Sequence, residues 1–296
     1  GIKGDPHETL VHHHEDPYSR LVIVRSIDDG KTWGLPTVID ASDGTYDLNL
    51  AVVSEVSSGD LVVNSMRIFQ DHAHDSAQKL IGERFVTPES TYHQNRGIFD
   101  SMYLLRSGDN GHTWEAPVPF GVPSLAYWSH TGKKGVVQLP DGTWLLIFSG
   151  RHQSDATGGA YLLRSRDQGQ TWSQPSLVAY DPEQRMGFGE PALVRLSTGR
   201  LLTMMRTGSY LYQALSDDDG WTWQGVKQSP IWGYPAHLTQ MHNGRVLCTY
   251  GYRRSPFGVR ACVSDDQGET WDTTKEFVLR HDGLHVDLGY PASVQL

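Results

Sequence analysis

The sequence predicts an all-β fold: a six-bladed β-propeller of four-stranded antiparallel blades, trimmed at both ends. Three observations carry that prediction. The motif Ser-x-Asp-x-Gly-x-Thr-Trp occurs five times, at Ser26–Trp33, Ser107–Trp114, Ser165–Trp172, Ser216–Trp223 and Ser264–Trp271. Between the copies lie apolar runs broken by a glycine turn: "AVVSEVSSGDLVV", "GVVQLPDGTWLLIF", "ALVRLSTGRLLTMM" and "HLTQMHNGRVLCTY". No segment sustains a helical period. Four short strands repeated at about 50 residues are the pattern of propeller blades.

The first element is a lone strand, "RLVIVRS", leading into the first box with no hairpin before it. Four full units follow, with hairpins turning on Gly59, Gly142, Gly199 and Gly244. In each unit strand A runs to the glycine turn and strand B returns. Strand C then reaches the box, and strand D leaves it. The box itself reads as a turn. Its Asp accepts from backbone N–H groups, its Gly supplies φ > 0, and Thr-Trp opens the next strand. Turn chemistry explains every fixed position, so the five Asp residues read as turn formers and not as acids, and the Trp as a packing anchor. Box Ser to next turn glycine takes 33, 35, 34 and 28 residues, which places a further turn just past Leu296. One unit is oversized: Gly59 to Ser107 spans 48 residues where the others need 17 to 23. The excess is an insertion at about 69–98 between strands B and C, a lid, rim or solvated surface excursion.

At 296 residues the chain fits one β domain over 1–296, with length enough for a sizeable core. Net charge is −9, which argues against a general nucleic-acid binder. No apolar run is long enough for a membrane span. No signal peptide is visible, and the chain does not start with Met. Cys248 and Cys262 lie symmetrically about Ser255 in two strands and read as buried free thiols facing each other. The tract "HHHED" (His12–Asp16) lacks matching ligand spacing elsewhere, so no metal or cofactor is expected.

In an up-and-down blade the glycine turn and the box lie at one end, while the start of A, the end of B and the start of C lie at the other. Starts of A carry His130, Glu190 in "GFGEP", Tyr234 in "WGYP" and Tyr290 in "LGYP". Ends of B carry Arg67, Arg151, His152, Arg206 and Tyr252-Arg253-Arg254. Segments before C carry Asp16, Arg96 and Arg260. The slot that holds Tyr in two units holds Glu in one, so Glu190 has a role that Tyr packing does not explain. It reads either as an ion-pair partner of Arg206 or as a base beside Tyr290.

With five boxes, "GEPALVRLSTGRLLTMMR" and "YRRSPFGVRACVSDDQGETW", the chain resembles the sialidase (neuraminidase) superfamily of six-bladed BNR-repeat propellers over nearly its whole length. The resemblance implies an Arg triad gripping a substrate carboxylate, an Asp acid and a Tyr nucleophile paired with a Glu. Carried over, these are Glu190, Tyr290, Arg206, either Arg254 or Arg260 as a third Arg, and Asp16 as the acid. The first family Arg has no counterpart here. The implied activity is that of a retaining exo-glycosidase releasing terminal sialic acid, or a related 2-keto acidic sugar, from glycans. A secreted or periplasmic setting is favoured by the same resemblance. Rival readings on the same propeller are an exo-arabinanase, a uronate lyase and a non-catalytic glycan-binding module. Three Arg meeting before a Tyr–Glu pair would separate the first reading from these.

Overall fold

A computed structural model of the chain describes residues 19–42, 46–71, 96–122, 124–125, 127–129, 135–152, 154–284, 286 and 288–296. The chain divides into two compact units, Gly1–Ser129 with Leu296, and His130–Gln295.

The first unit opens with β1 (Arg20–Ile23) and β2 (Thr37–Ala41), an antiparallel ribbon joined through the first box. One complete blade follows: β3 (Tyr46–Glu55), β4 (Leu61–Asp71), β5 (Arg96–Ser107) and β6 (Val118–Phe120), hydrogen-bonded in that order. Strand β7 (Tyr127–Ser129) ends the unit. The expected insertion at about 69–98 begins on paired strands. β4 and β5 continue into it through the pairs Phe69↔Ile98, Gln70↔Gly97 and Asp71↔Arg96, and residues 72–95 lie outside the described set.

The second unit carries three blades. The first contains β8 (Val137–Gln138), β9 (Trp144–Arg151), β10 (Gly159–Ser165) and β11 (Ser176–Ala179). Next come β12 (Gly189–Arg195), β13 (Leu201–Arg206), β14 (Tyr210–Ser216) and β15 (Gln224–Trp232). Last are β16 (Ala236–Gln240), β17 (Val246–Tyr252), β18 (Gly258–Ser264) and β19 (Phe277–Arg280). The fold is an all-β propeller, as expected. The count of six blades is not met among the described residues, which form four blades and a ribbon. The first box has only β1 and β2 about it, and residues 281–296 form no strand where they are described.

Local chemistry accounts for this regularity. Each A–B turn closes with the same two backbone bonds, such as Gly199 N to Leu196 O at 2.9 Å and Leu196 N to Arg200 O at 2.8 Å. Gly59, Gly142, Gly199 and Gly244 all sit at φ between 84° and 94°, where a Cβ would be strained. Each box repeats one network. In the third, Ser165 Oγ donates to Asp167 Oδ1 (2.7 Å) and accepts from Gly169 N (2.6 Å). Asp167 in turn accepts from Thr171 N (2.9 Å) and Thr171 Oγ1 (2.5 Å). The box also docks blade on blade. Trp271 is buried and its Nε1 donates to Gln213 Oε1 at 2.9 Å, while Gln213 Nε2 donates to the carbonyl of Gly268 at 2.7 Å. Trp33 is the exception to the packing role, at 62% exposed. Apolar clusters fill the space between sheets, one around Leu202, Leu238 and Tyr250, another around Leu162, Leu193 and Leu201. Cys248 and Cys262 are free, buried and directly opposite across β17 and β18.

Candidate active site

The register of the β12–β15 blade fixes which end carries chemistry. Leu201 pairs with Ser216, the first residue of a box, at one end of β13. At the other end, Arg206 pairs with Gly189. Glu190 and Arg206 therefore stand a full strand length from the box, on the end where the sequence placed the site.

Glu190 follows Gly189 at φ +42°, a conformation non-glycine residues seldom adopt. Its backbone N donates to Ser149 Oγ at 3.2 Å, and its carboxylate is largely buried. Arg206 Nη1 donates to Glu190 Oε2 at 2.9 Å. Tyr290 Oη donates to Glu190 Oε1 at 2.7 Å. The two expected partners of Glu190 thus occupy one oxygen each. Tyr290 remains 43% exposed while its hydroxyl is held by the Glu190 carboxylate. Desolvation and the facing Glu190 carboxylate push the phenol up to about 12, so at neutral pH it is an uncharged donor. Burial alone would lower Arg206, but the Glu190 carboxylate outweighs it and the net shift is upward.

Glycines bring Tyr290 to this point. A Cβ on Gly251 would stand 2.6 Å from Gly289 O and 2.7 Å from Tyr234 O. A Cβ on Gly233 would stand 2.6 Å from Gly251 O. The two "GYP" segments therefore press against the backbone of β17 at Gly251 from two sides, with Tyr234 N donating to Gly251 O at 2.8 Å. Beyond Tyr290 the chain is tied to β16: Thr239 Oγ1 donates to Ser293 O at 2.9 Å, and His237 Nδ1 lies 3.1 Å from Ser293 Oγ.

The remaining candidates separate. Arg254 stacks on Trp232, its guanidinium 3.6 Å from the ring centroid. Arg260 stacks on Tyr252 and pairs with Glu276, which also accepts from Tyr250 Oη. The residue that reaches Tyr290 is instead Arg253, 5.6 Å from that ring and 5.0 Å from Tyr234, with its Nε donating to Tyr234 O at 3.2 Å. Arg206 covers Tyr234 as well, at 4.4 Å. The sequence shows Arg253 and Arg254 side by side at the end of β17. Both lie just past Tyr252, the last residue of β17, and one faces the Tyr290 ring while the other stacks on Trp232. Asp16, His130 and the His12–Asp16 tract lie outside the described residues. Arg67 belongs to the first unit, where it faces Asp40 at 3.7 Å and lies 4.8 Å over Tyr103. Among the described residues no group of three or more His, Cys, Asp and Glu is arranged to hold a metal ion.

Residues 85–296 match the BNR repeat-like domain family. No curated protein sequence matches the chain. Among solved structures, a protein of unknown function from Dyadobacter fermentans is similar at 27% identity and TM-score 0.79, covering 95% of this chain and 77% of that one. The NanB sialidase of Streptococcus pneumoniae is similar at 13% identity and TM-score 0.55, over 87% of this chain, which spans 53% of that protein. The α-L-arabinanase of Penicillium chrysogenum, solved with arabinobiose, is similar at 18% identity and TM-score 0.57, over 86% of this chain and 72% of its own. The last two likenesses are of fold.

Proposed function

Since the chain belongs to the BNR repeat-like family, within the sialidase-type superfamily of β-propellers, we propose that it is a retaining exo-glycosidase releasing a terminal sialic acid, or a related 2-keto acidic sugar, from a glycan. The observation that carries the reading is one carboxylate shared between a phenol and a guanidinium: Tyr290 on one Glu190 oxygen at 2.7 Å, Arg206 on the other at 2.9 Å.

The chemistry follows from charge. An acidic sugar of this class bears a carboxylate on its anomeric carbon, and a carboxylate nucleophile would be repelled by it. A neutral phenol is not, and Glu190 stands ready to take its proton as the oxygen attacks. Arg206 holds Glu190 in place through one N–H and, with donors to spare, presents part of its fork to the substrate carboxylate. Arg253 brings a second guanidinium beside the same phenol. The leaving oxygen needs a proton from an acid, for which Asp16 is the candidate. The covalent sugar–Tyr290 intermediate is then hydrolysed, and two displacements retain configuration. The arabinan-degrading reading fits less well, because a neutral sugar gives Arg206 and Arg253 no carboxylate to bind.

The test is release of fluorophore from an aryl α-sialoside and from an aryl α-arabinoside. Hydrolysis of the sialoside, lost in Tyr290→Phe, is the expected result. Hydrolysis of the arabinoside alone would replace this reading with the arabinan-directed one.

A further inference from the structure

We infer that Arg254, held flat on Trp232, forms a second anion-binding position, and that the glycan taken by this site carries a negative charge on its penultimate sugar as well as on its terminal one. The inference rests on the glycan-hydrolase reading and extends it to the next unit of the substrate.

Six arginines among the described residues stack on aromatic rings. Arg67 lies over Tyr103, Arg164 over Trp221, Arg206 over Tyr234, Arg253 over Tyr234, Arg254 over Trp232 and Arg260 over Tyr252. Stacking fixes the guanidinium plane and leaves its N–H edges pointing outward. In five of the six the protein itself fills an edge. Arg67 faces Asp40, Arg206 pairs with Glu190, and Arg260 pairs with Glu276. Arg164 donates to Ser176 Oγ and to Asp219 O, and Arg253 to Tyr234 O. Arg254 alone has no protein acceptor or ion pair among the described residues, and it is exposed. Where the protein shows what such an edge takes, the occupant is a carboxylate in three of five cases.

Position gives the occupant its place. Trp232 touches Tyr234 at 6.2 Å between centroids and Tyr252 at 5.7 Å. Tyr234 lies under Arg206 and Arg253, beside Tyr290. The Arg254 edge is therefore one aromatic ring further along a continuous shelf from the reacting end. A sugar joined to the terminal unit would lie beside the Arg254–Trp232 stack, where an anionic substituent meets a preset fork. In a chain of net charge −9, a cation left without a partner on that shelf selects for acidic glycans. A carboxylate and a sulfate ester share the required chemistry.

Affinities are measured by calorimetry on Tyr290→Phe, so that no ligand is consumed, and turnover is measured on the unaltered protein. The probes are sialyl-galactose with a neutral galactose, the same disaccharide sulfated on galactose, and a disaccharide of two sialic acids. Expected is a preference of about tenfold or more for one or both doubly acidic ligands. Adding Arg254→Gln should collapse that preference, and Arg254→Lys should restore it only in part. The carboxylated and sulfated arms identify which anion is taken. Equal affinity for all three probes, or a preference that survives Arg254→Gln, overturns the inference while leaving the hydrolase reading intact. Selective binding with no turnover of any probe sinks the hydrolase reading and leaves the second anion position standing. No binding of any probe sinks both.

Discussion

Two clusters in the second unit are built from the same side chains. In one, Glu190 accepts from Tyr290 and Arg206; in the other, Glu276 accepts from Tyr250 and Arg260. What differs is access, since Tyr290 is 43% exposed and Tyr250 is wholly buried. Burial first and Glu276 second push the Tyr250 phenol far up, so it is a permanent donor inside the blade. Tyr290 is open to solvent in part and gives its hydroxyl to a carboxylate. The two tyrosines should therefore respond oppositely to loss of the hydroxyl. Tyr290→Phe is expected to lower kcat by more than about 10²-fold with little change in melting temperature, and Glu190→Gln by about 10²–10⁴-fold. Tyr250→Phe should instead leave turnover near normal and destabilise by about 1–3 kcal/mol, because Glu276 loses a buried donor. Steady-state rates beside denaturant midpoints for the three variants read this directly. At the same scale, Arg206→Lys retains the charge but not the fork, and most sialoside turnover should be lost.

Among elements, the "GYP" segments matter because they set where Tyr290 stands. Gly251 lies between the carbonyls of Gly289 and Tyr234, so a methyl group there has only backbone to push against. Gly251→Ala should destabilise by about 1–3 kcal/mol and, by moving the Tyr290 segment, lower kcat as well. Gly142→Ala is the comparison. Its φ of +88° makes a side chain strained by about 1 kcal/mol, but nothing lies within 4 Å and the turn is at the far end of its blade. Stability should fall there with kinetics unchanged. These elements also show how far the sequence could be read. The alternation of apolar runs and glycine turns was enough for the strands, and Glu190 in a Tyr slot pointed to the pair it forms with Tyr290. The sequence offered Arg254 or Arg260 and passed over Arg253, which lies nearer the Tyr290 ring, because past the end of β17 side-chain direction no longer follows from strand alternation. The layout of the blades was legible, because the first box has a single strand and no hairpin before it while four full units follow, and the structure has a two-stranded ribbon around that box and four blades.

Across the whole molecule the five boxes act as one set of titrating groups. Threonine donors hold Asp28, Asp167 and Asp218 at about 2, and the same contacts lower Asp109 further. In Asp266 burial pulls upward and is outweighed by the same donors. A carboxyl whose value is depressed by folding favours the folded state when ionised. Its contribution is complete above the unfolded value of 3.8 and disappears as pH falls toward 2. Five like groups distributed over the ribbon and all four blades should therefore make acid unfolding steep between about pH 4 and 2. Asp167→Asn keeps the size of the side chain and removes the titration. It should be less stable than the unaltered protein at pH 7, and the difference should narrow as pH falls through that window. Urea midpoints at pH 7, 4, 3 and 2 measure it, and a difference that stays constant down to pH 2 would show that acid lability originates elsewhere. Turnover at pH 7 should be unaffected while the fold persists, because in each blade the box stands at the opposite end from Glu190, Arg206 and their counterparts. A box variant that lost activity without losing stability would put chemistry at the wrong end of the sheet and would count against the candidate site itself.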